Sequence, residues 1–185
     1  MKKILAKFIF YRVMGWRIVG RIPTDVPQAI VAVGPHTSSW DFLIGVLSRN
    51  VLEQDICFIG KDSLFKGPFG WLFRWLGGYP VDRSRSQGMV EAVVQLFRAH
   101  PRFYLSLSPE GTRKKADRLR SGFYHMAVGA GVPIIMVGMD FKHKELRFEP
   151  PLYPIGQVEA DMRIIQQFFS TVTGKIPAYG VDPPK

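Results

Sequence analysis

The chain has 185 residues, 46% of them hydrophobic, and carries a net charge of +10 with a pI near 9.9. That length suits one domain around a single core, and the apolar content excludes a disordered chain. The single cysteine, Cys57, excludes an internal disulfide framework and fits a reducing compartment. It lies in the apolar run Ile56-Cys57-Phe58-Ile59 and reads as a buried, inert thiol. Basic chains seek nucleic acid, anionic lipid or acidic proteins. No zinc-finger or RNP motif is visible, and the aromatics cluster with aliphatics instead of alternating with Lys and Arg. An anionic membrane surface or an acidic carrier protein is expected, and nucleic acid is not.

In chain order, Met1 to Arg21 comes first. If helical, it places Ile4, Leu5, Phe8, Tyr11, Trp16, Ile18 and Val19 on a broad apolar face. Lys2, Lys3, Lys7, Arg17 and Arg21 fall opposite, with Arg12 the exception. Two readings stay open: a helix lying in a membrane interface, or one packed on the protein's own core with a solvated basic face. No stretch reaches the roughly 18 charge-free apolar residues of a spanning helix, and no clear small-residue cleavage site marks a signal peptide. The expected division is a membrane-interface segment, 1–22, and one domain, 23–185.

Ile30 to Val33 reads as a buried strand, Trp40 to Leu52 as a helix and Ile56 to Ile59 as the next strand. Leu64 to Leu76 crowds eight large apolar residues into thirteen, among them Trp71 and Trp75. Core packing is one explanation; an acyl-chain groove or a bilayer contact is the other. Tyr79-Pro80-Val81 is extended, Gln87 to His100 helical, and Phe103 to Leu107 a strand that delivers Pro109-Glu110-Gly111. A charged loop, Lys114 to Arg120, precedes a helix over Ser121 to Ala130 with Gly131 as its stop. Pro133 to Met139 reads as a buried strand, and Leu146-Arg147-Phe148 as an edge pairing. The last helix, Gln157 to Val172, turns Met162, Ile165, Phe168 and Phe169 to the core, and Ile176 to Lys185 is an extended tail. Strands alternating with helices predict an α/β fold: a single domain with a mostly parallel central sheet.

His36 stands where the first buried strand ends and a helix is about to start. In open α/β sheets that edge is where ligands bind. On one regular helix His36 and Asp41 would be rotated apart by about 140°. They meet if His36 lies in the loop and Asp41 in the first helical turn, a break that Pro35 and Thr37-Ser38-Ser39 favour. A carboxylate bonded to one ring nitrogen would leave the other to take a proton from a hydroxyl. The alternative is that Ser38-x-x-Asp41 is capping chemistry alone.

Three further segments follow in order: Gly60-Lys61-Asp62-Ser63-Leu64, Gly77-Gly78-Tyr79-Pro80-Val81-Asp82-Arg83, and Ser108-Pro109-Glu110-Gly111-Thr112-Arg113. Gly131-Val132-Pro133-Ile134-Ile135 comes after them. Together with His36-x4-Asp41 they resemble the sequence blocks of the glycerolipid acyltransferases, the 1-acylglycerol-3-phosphate acyltransferase family, over about residues 30 to 140. The resemblance implies His36 and Asp41 as the catalytic pair. It assigns Arg83 and Arg113 to an acceptor phosphate, which guanidinium grips in a bidentate fork. Lys61 would add a point charge. Glu110 would orient the acceptor's hydroxyls or hold the loop through backbone N–H groups, Gly111 would permit a tight turn, and Thr112 would bond the loop or the substrate. The chain departs from the family's pattern at Pro35, Ser108 and Lys114.

The resemblance also implies acyl transfer from acyl-CoA or acyl carrier protein, as co-substrate, to a lysophospholipid hydroxyl. No other cofactor and no metal is expected, and no His/Cys cluster suggests one. The implied place is peripheral, on the cytoplasmic face of the inner membrane. The competing class is a non-catalytic basic protein that binds anionic lipid or acyl carrier protein.

Overall fold

The computed structural model describes residues 3–81, 86–116 and 118–184. Among these, seven strands form one sheet: β1 (Arg17–Val19), β2 (Gln28–Gly34), β3 (Ile56–Lys61), β4 (Gly78–Val81), β5 (Phe103–Leu107), β6 (Ile134–Asp140) and β7 (Glu145–Phe148). Their spatial order is β1-β7-β6-β2-β5-β3-β4, and every neighbouring pair is parallel except β6–β7. The helices are α1 (Lys3–Lys7), α2 (Trp40–Leu52), α3 (Asp62–Lys66), α4 (Gly70–Trp75), α5 (Ser86–Ala99), α6 (Gly122–Ala130) and α7 (Val158–Ser170), with a π-helical stretch at Phe8–Val13. The mostly parallel α/β sheet is the expected fold.

Continuous apolar runs belong in strands buried on both faces, and β2 and β6 are such strands. Alternation along each splits the core in two. Ile30, Ala32, Leu105, Ile134 and Met136 join one apolar cluster with Phe97 of α5, Phe123 and Tyr124 of α6, and Ile165 and Phe169 of α7. Ala29, Val31, Val33, Tyr104, Ile135 and Val137 join another with Phe10, Trp16, and Ile44 and Leu47 of α2. The sheet is therefore the middle layer of three.

This topology builds the site. From β2 the chain leaves over one face, through α2, to β3, two places along the sheet. From β5 it leaves over the opposite face, through α6, to β6 on the far side of β2. β2 and β5 are paired neighbours, with Ala32 opposite Leu107. Their carboxyl ends open side by side while their exits diverge, which is the crevice where α/β sheets bind ligands.

Two local expectations are corrected. Met1 to Arg21 is not one helix: α1 passes into the π-helical stretch, Gly15 takes φ +68, and Arg17–Val19 pairs with β7. A glycine in the left-handed region ends a helix at little steric cost. Leu146-Arg147-Phe148 is not an edge: β1 covers β7 there, and Arg17 pairs with Glu145 at 2.7 Å through Nε.

Candidate active site

His36 lies just past β2, after a cis Gly34–Pro35 bond, and Asp41 is in the first turn of α2. The break between loop and helix thus falls where Pro35 and the Thr-Ser-Ser run put it. Asp41 is 2% exposed. Its Oδ2 accepts the backbone N–H groups of Thr37 and Ser38, both at 2.8 Å. The same oxygen lies 3.8 Å from His36 Nδ1, beyond hydrogen-bond range. The direct bond expected between the two is therefore not closed, because two N–H donors hold Oδ2 on the loop. His36 Nδ1 and Asp41 Oδ1 are buried and have no hydrogen-bond partner among the described residues. The capping role of Asp41 is displayed by its two backbone bonds, while its contact with the ring stays at 3.8 Å.

Burial depresses the His36 pKa below its ordinary value. The Asp41 carboxylate opposes this, and the Arg113 guanidinium adds to it. A neutral ring is thereby favoured, the form that accepts a proton.

Glu110 comes from the loop after β5 and is 3% exposed. Its Oε1 accepts the His36 backbone N–H at 3.2 Å, and its Oε2 accepts the Ser108 hydroxyl at 2.7 Å. Of the two roles expected for Glu110, the structure displays the backbone one. Burial raises its pKa, against the Ser108 hydroxyl and the N–H donors. Gly111 has φ +63. Thr112 bonds the loop: its Oγ1 accepts the Lys114 N–H at 3.2 Å. Arg113 is exposed and reaches Ser39 Oγ at 3.5 Å, so it stands over the start of α2. Lys61 closes β3, exposed, with β5 between its strand and β2. Arg83 lies outside the described residues.

The fold thus brings His36, Asp41, Glu110 and Arg113 to one crevice from segments about 70 residues apart. Reasoning from sequence missed the side chains of Thr37, Ser39 and Ser108 as parts of it, and pointed to Ser39 only for backbone N–H donors at the helix start. Thr37 and Ser39 lie inside the His-x4-Asp spacing, and Ser108 is two residues before Glu110, the distance at which a hydroxyl reaches a neighbouring side chain.

A sequence model of the Acyltransferase family matches residues 17–140. The chain is 30% identical over 132 residues to the 1-acyl-sn-glycerol-3-phosphate acyltransferase of Escherichia coli (strain K12), across 66% of this chain and 52% of that protein. It is 31% identical over 144 residues to the protein of the same name from Haemophilus influenzae, across 74% of this chain and 59% of that one. The chain therefore spans between half and three fifths of the length of these relatives. The crystal structure of the 1-acyl-sn-glycerophosphate (LPA) acyltransferase PlsC from Thermotoga maritima shares the fold, with a TM-score of 0.61 over 94% of this chain and 79% of that chain, at 17% identity. With the family's sequence blocks in order and a family match over well more than half its length, the chain belongs to the glycerolipid acyltransferases.

Proposed function

We propose that the protein moves a fatty acyl group from a thioester to the free hydroxyl of a 1-acyl-sn-glycerol-3-phosphate. The thioester is carried on coenzyme A or acyl carrier protein. The observation that carries this reading is the meeting of the His36–Asp41 pair with Arg113 in one crevice. The names of the curated relatives support the acceptor.

His36 Nδ1 faces Asp41, which leaves Nε2 to accept the acceptor's hydroxyl proton. The oxygen attacks the thioester carbonyl, and the carbonyl oxygen becomes an oxyanion. Backbone N–H donors at the start of α2, around Ser39, suit that charge. The Gly111 N–H instead turns inward to the Ser108 carbonyl at 3.3 Å. The C–S bond then breaks, the His36 imidazolium gives its proton to the thiolate, and ester and thiol leave. No acyl-enzyme and no cofactor beyond the thioester are called for.

The test is to incubate the protein with labelled acyl-CoA or acyl carrier protein and two acceptors, lysophosphatidic acid and monoacylglycerol. Turnover on the phosphorylated acceptor is expected, and binding without turnover favours the non-catalytic class. Arg113→Ala should raise KM for lysophosphatidic acid by about 10–100-fold, the worth of roughly 1.5–3 kcal/mol for a charged hydrogen bond. Monoacylglycerol should be insensitive to the change. Equal losses on both would mean that Arg113 holds the loop through Ser39. Arg83 is proposed for the same phosphate.

A peripheral place on an anionic membrane surface is part of this reading. Among the described residues, no helix is long and apolar enough to cross a membrane. The first segment is two-sided. Ala6, Phe10 and Trp16 are buried in the core, while Ile4, Phe8, Tyr11 and Val13 are exposed. Lys3 and Lys7 tie α1 to Glu53 at the end of α2. Trp40 and Leu43 of α2, and Phe69, Trp71 and Trp75 around α4, are exposed as well, the last two at 68% and 61%. Exposed apolar surface beside a strong positive charge suits an anionic bilayer. Removing Met1 to Arg21 would delete β1 and two core aromatics, so point changes are the cleaner probe. Ile4→Ser, Phe8→Ser and Val13→Ser together should weaken sedimentation with anionic vesicles several-fold and leave stability within about 0.5 kcal/mol per site. Wild-type binding should also fall with salt, since the attraction is screened over about 8 Å. Unchanged vesicle binding by the triple variant would defeat the docking surface.

A further inference from the structure

Residues after α7 return to the crevice. The Ile176 backbone N–H donates to the Thr37 hydroxyl oxygen at 3.1 Å. Thr37 is 2% exposed, and its own N–H donates to Asp41 Oδ2. Gly174 packs on the same residue: a β-carbon there would come within 2.7 Å of Thr37 Cγ2 and 3.1 Å of Pro35 Cγ. The Phe141 N–H donates to the Thr173 carbonyl at 2.8 Å, and the Lys175 ammonium lies 5.8 Å over the Phe141 ring. Farther on, Lys115 Nζ, two residues past Arg113, donates to the Gly180 carbonyl at 2.9 Å and to Asp182 Oδ1 at 2.7 Å. Gln166 of α7 holds the Asp182 carbonyl at 3.0 Å, and Val181 packs on the core. One stretch of chain therefore touches both halves of the site. It lies outside the residues matched by the family model.

We propose that residues 174–182 are a strap that holds the His36 loop and the Arg113 loop in register, and that Thr37 is the positioning residue through which it acts on His36 and Asp41. The inference rests on the acyl-transfer reading. The Thr37 hydroxyl has no need to touch substrate. It ties the loop between base and carboxylate to a segment anchored on α7. A loop held at only one end would let the ring drift from Asp41, and displacement of a reacting group by a fraction of an ångström is costly. The arginine side of the strap is an exposed ion pair backed by a carbonyl, so its effect is expected to be the smaller.

The test compares Thr37→Val, which keeps the shape and removes the hydroxyl, with Thr37→Ser, which restores it. Gly174→Ala, which presses on Thr37 without altering it, is the third variant. Thr37→Val should lower kcat about 10–100-fold with acceptor KM within about twofold. The imidazole NMR titration of His36 should move up toward the ordinary value as the loop opens to water. The charged groups that face this ring are Asp41, Glu110 and Arg113, and none is altered. Thr37→Ser should restore both readouts, and Gly174→Ala should shift both in the direction of Thr37→Val. A folded Thr37→Val with wild-type kcat and titration overturns the strap, as does equal loss in Val and Ser variants. If Thr37→Val does not fold, an unaltered Gly174→Ala overturns it. A wild-type protein without transfer activity refutes the acyl-transfer reading instead, and the His36 titration still decides the strap.

Discussion

His36→Ala is expected to lower kcat by about 10²–10⁴-fold, the range for losing a positioned general base, while the protein stays folded. The loop's architecture does not depend on the ring. The His36 backbone N–H binds Glu110, the next two N–H groups bind Asp41, and all three donors survive in alanine. Stopped-point assays on lysophosphatidic acid, with circular dichroism as the fold control, make the measurement. Retained activity in a clean preparation would sink the general-base mechanism.

The same residue predicts a pH profile. Because burial lowers the folded-state pKa of His36, the ring stays neutral below the ordinary value of about 6.5. The acid limb of kcat/KM should therefore fall below pH 6.5. For stability the sign is as follows. Between the folded pKa and about 6.5 the unfolded chain binds more protons than the folded one, so stability rises with pH across that window. This contribution is complete above about 6.5 and is lost as pH falls toward the folded value. Urea unfolding across that range should show the slope in wild type and a smaller one in His36→Ala.

Asp41→Ala should damage both activity and stability, unlike His36→Ala. The carboxylate is buried and is the acceptor for two backbone N–H groups, and its removal strands them. The expected cost is about 2–6 kcal/mol, since buried donors left without partners lose about 1–3 kcal/mol each. kcat should fall about 10²–10⁴-fold as well, because nothing then orients the ring or stabilises the imidazolium. Asp41→Asn separates the two roles. Its amide oxygen can keep the two N–H bonds and recover much of the stability. The amide is neutral, however, and no longer stabilises the imidazolium that forms on His36. Asp41→Asn should therefore fold well and remain nearly inactive. An active Asp41→Asn would make Asp41 a loop staple only.

Much of this site is legible in the sequence. The strand ending at Gly34, the loop break at Pro35 and the helix from Trp40 follow from local chemistry: an unbroken apolar run, a residue that disfavours helix before it, and a renewed 3.6-residue period. The same holds for β5 and its Pro-Glu-Gly turn. These features involve groups close in sequence, so nearby residues suffice to determine them.

The first 21 residues show where this ends. Their amphipathic pattern records that one side is apolar but not what it meets. A helix in a bilayer, a helix on the core, and the observed helix turning into a strand all satisfy it. Deciding among them takes Glu145, 128 residues away, which pairs with Arg17 across β1 and β7. Glu110 is likewise a staple on His36 only because β2 and β5 are neighbours that open together. Thr37 is tied to Ile176 across 139 residues. By itself the sequence determined most of the elements, their buried faces and the order of the family's blocks. The tertiary structure alone decided which strands are neighbours, which oxygen of Asp41 holds the loop, and which distant N–H reaches Thr37. Periodicity reports that a face must be buried or a donor satisfied; long-range packing chooses the partner.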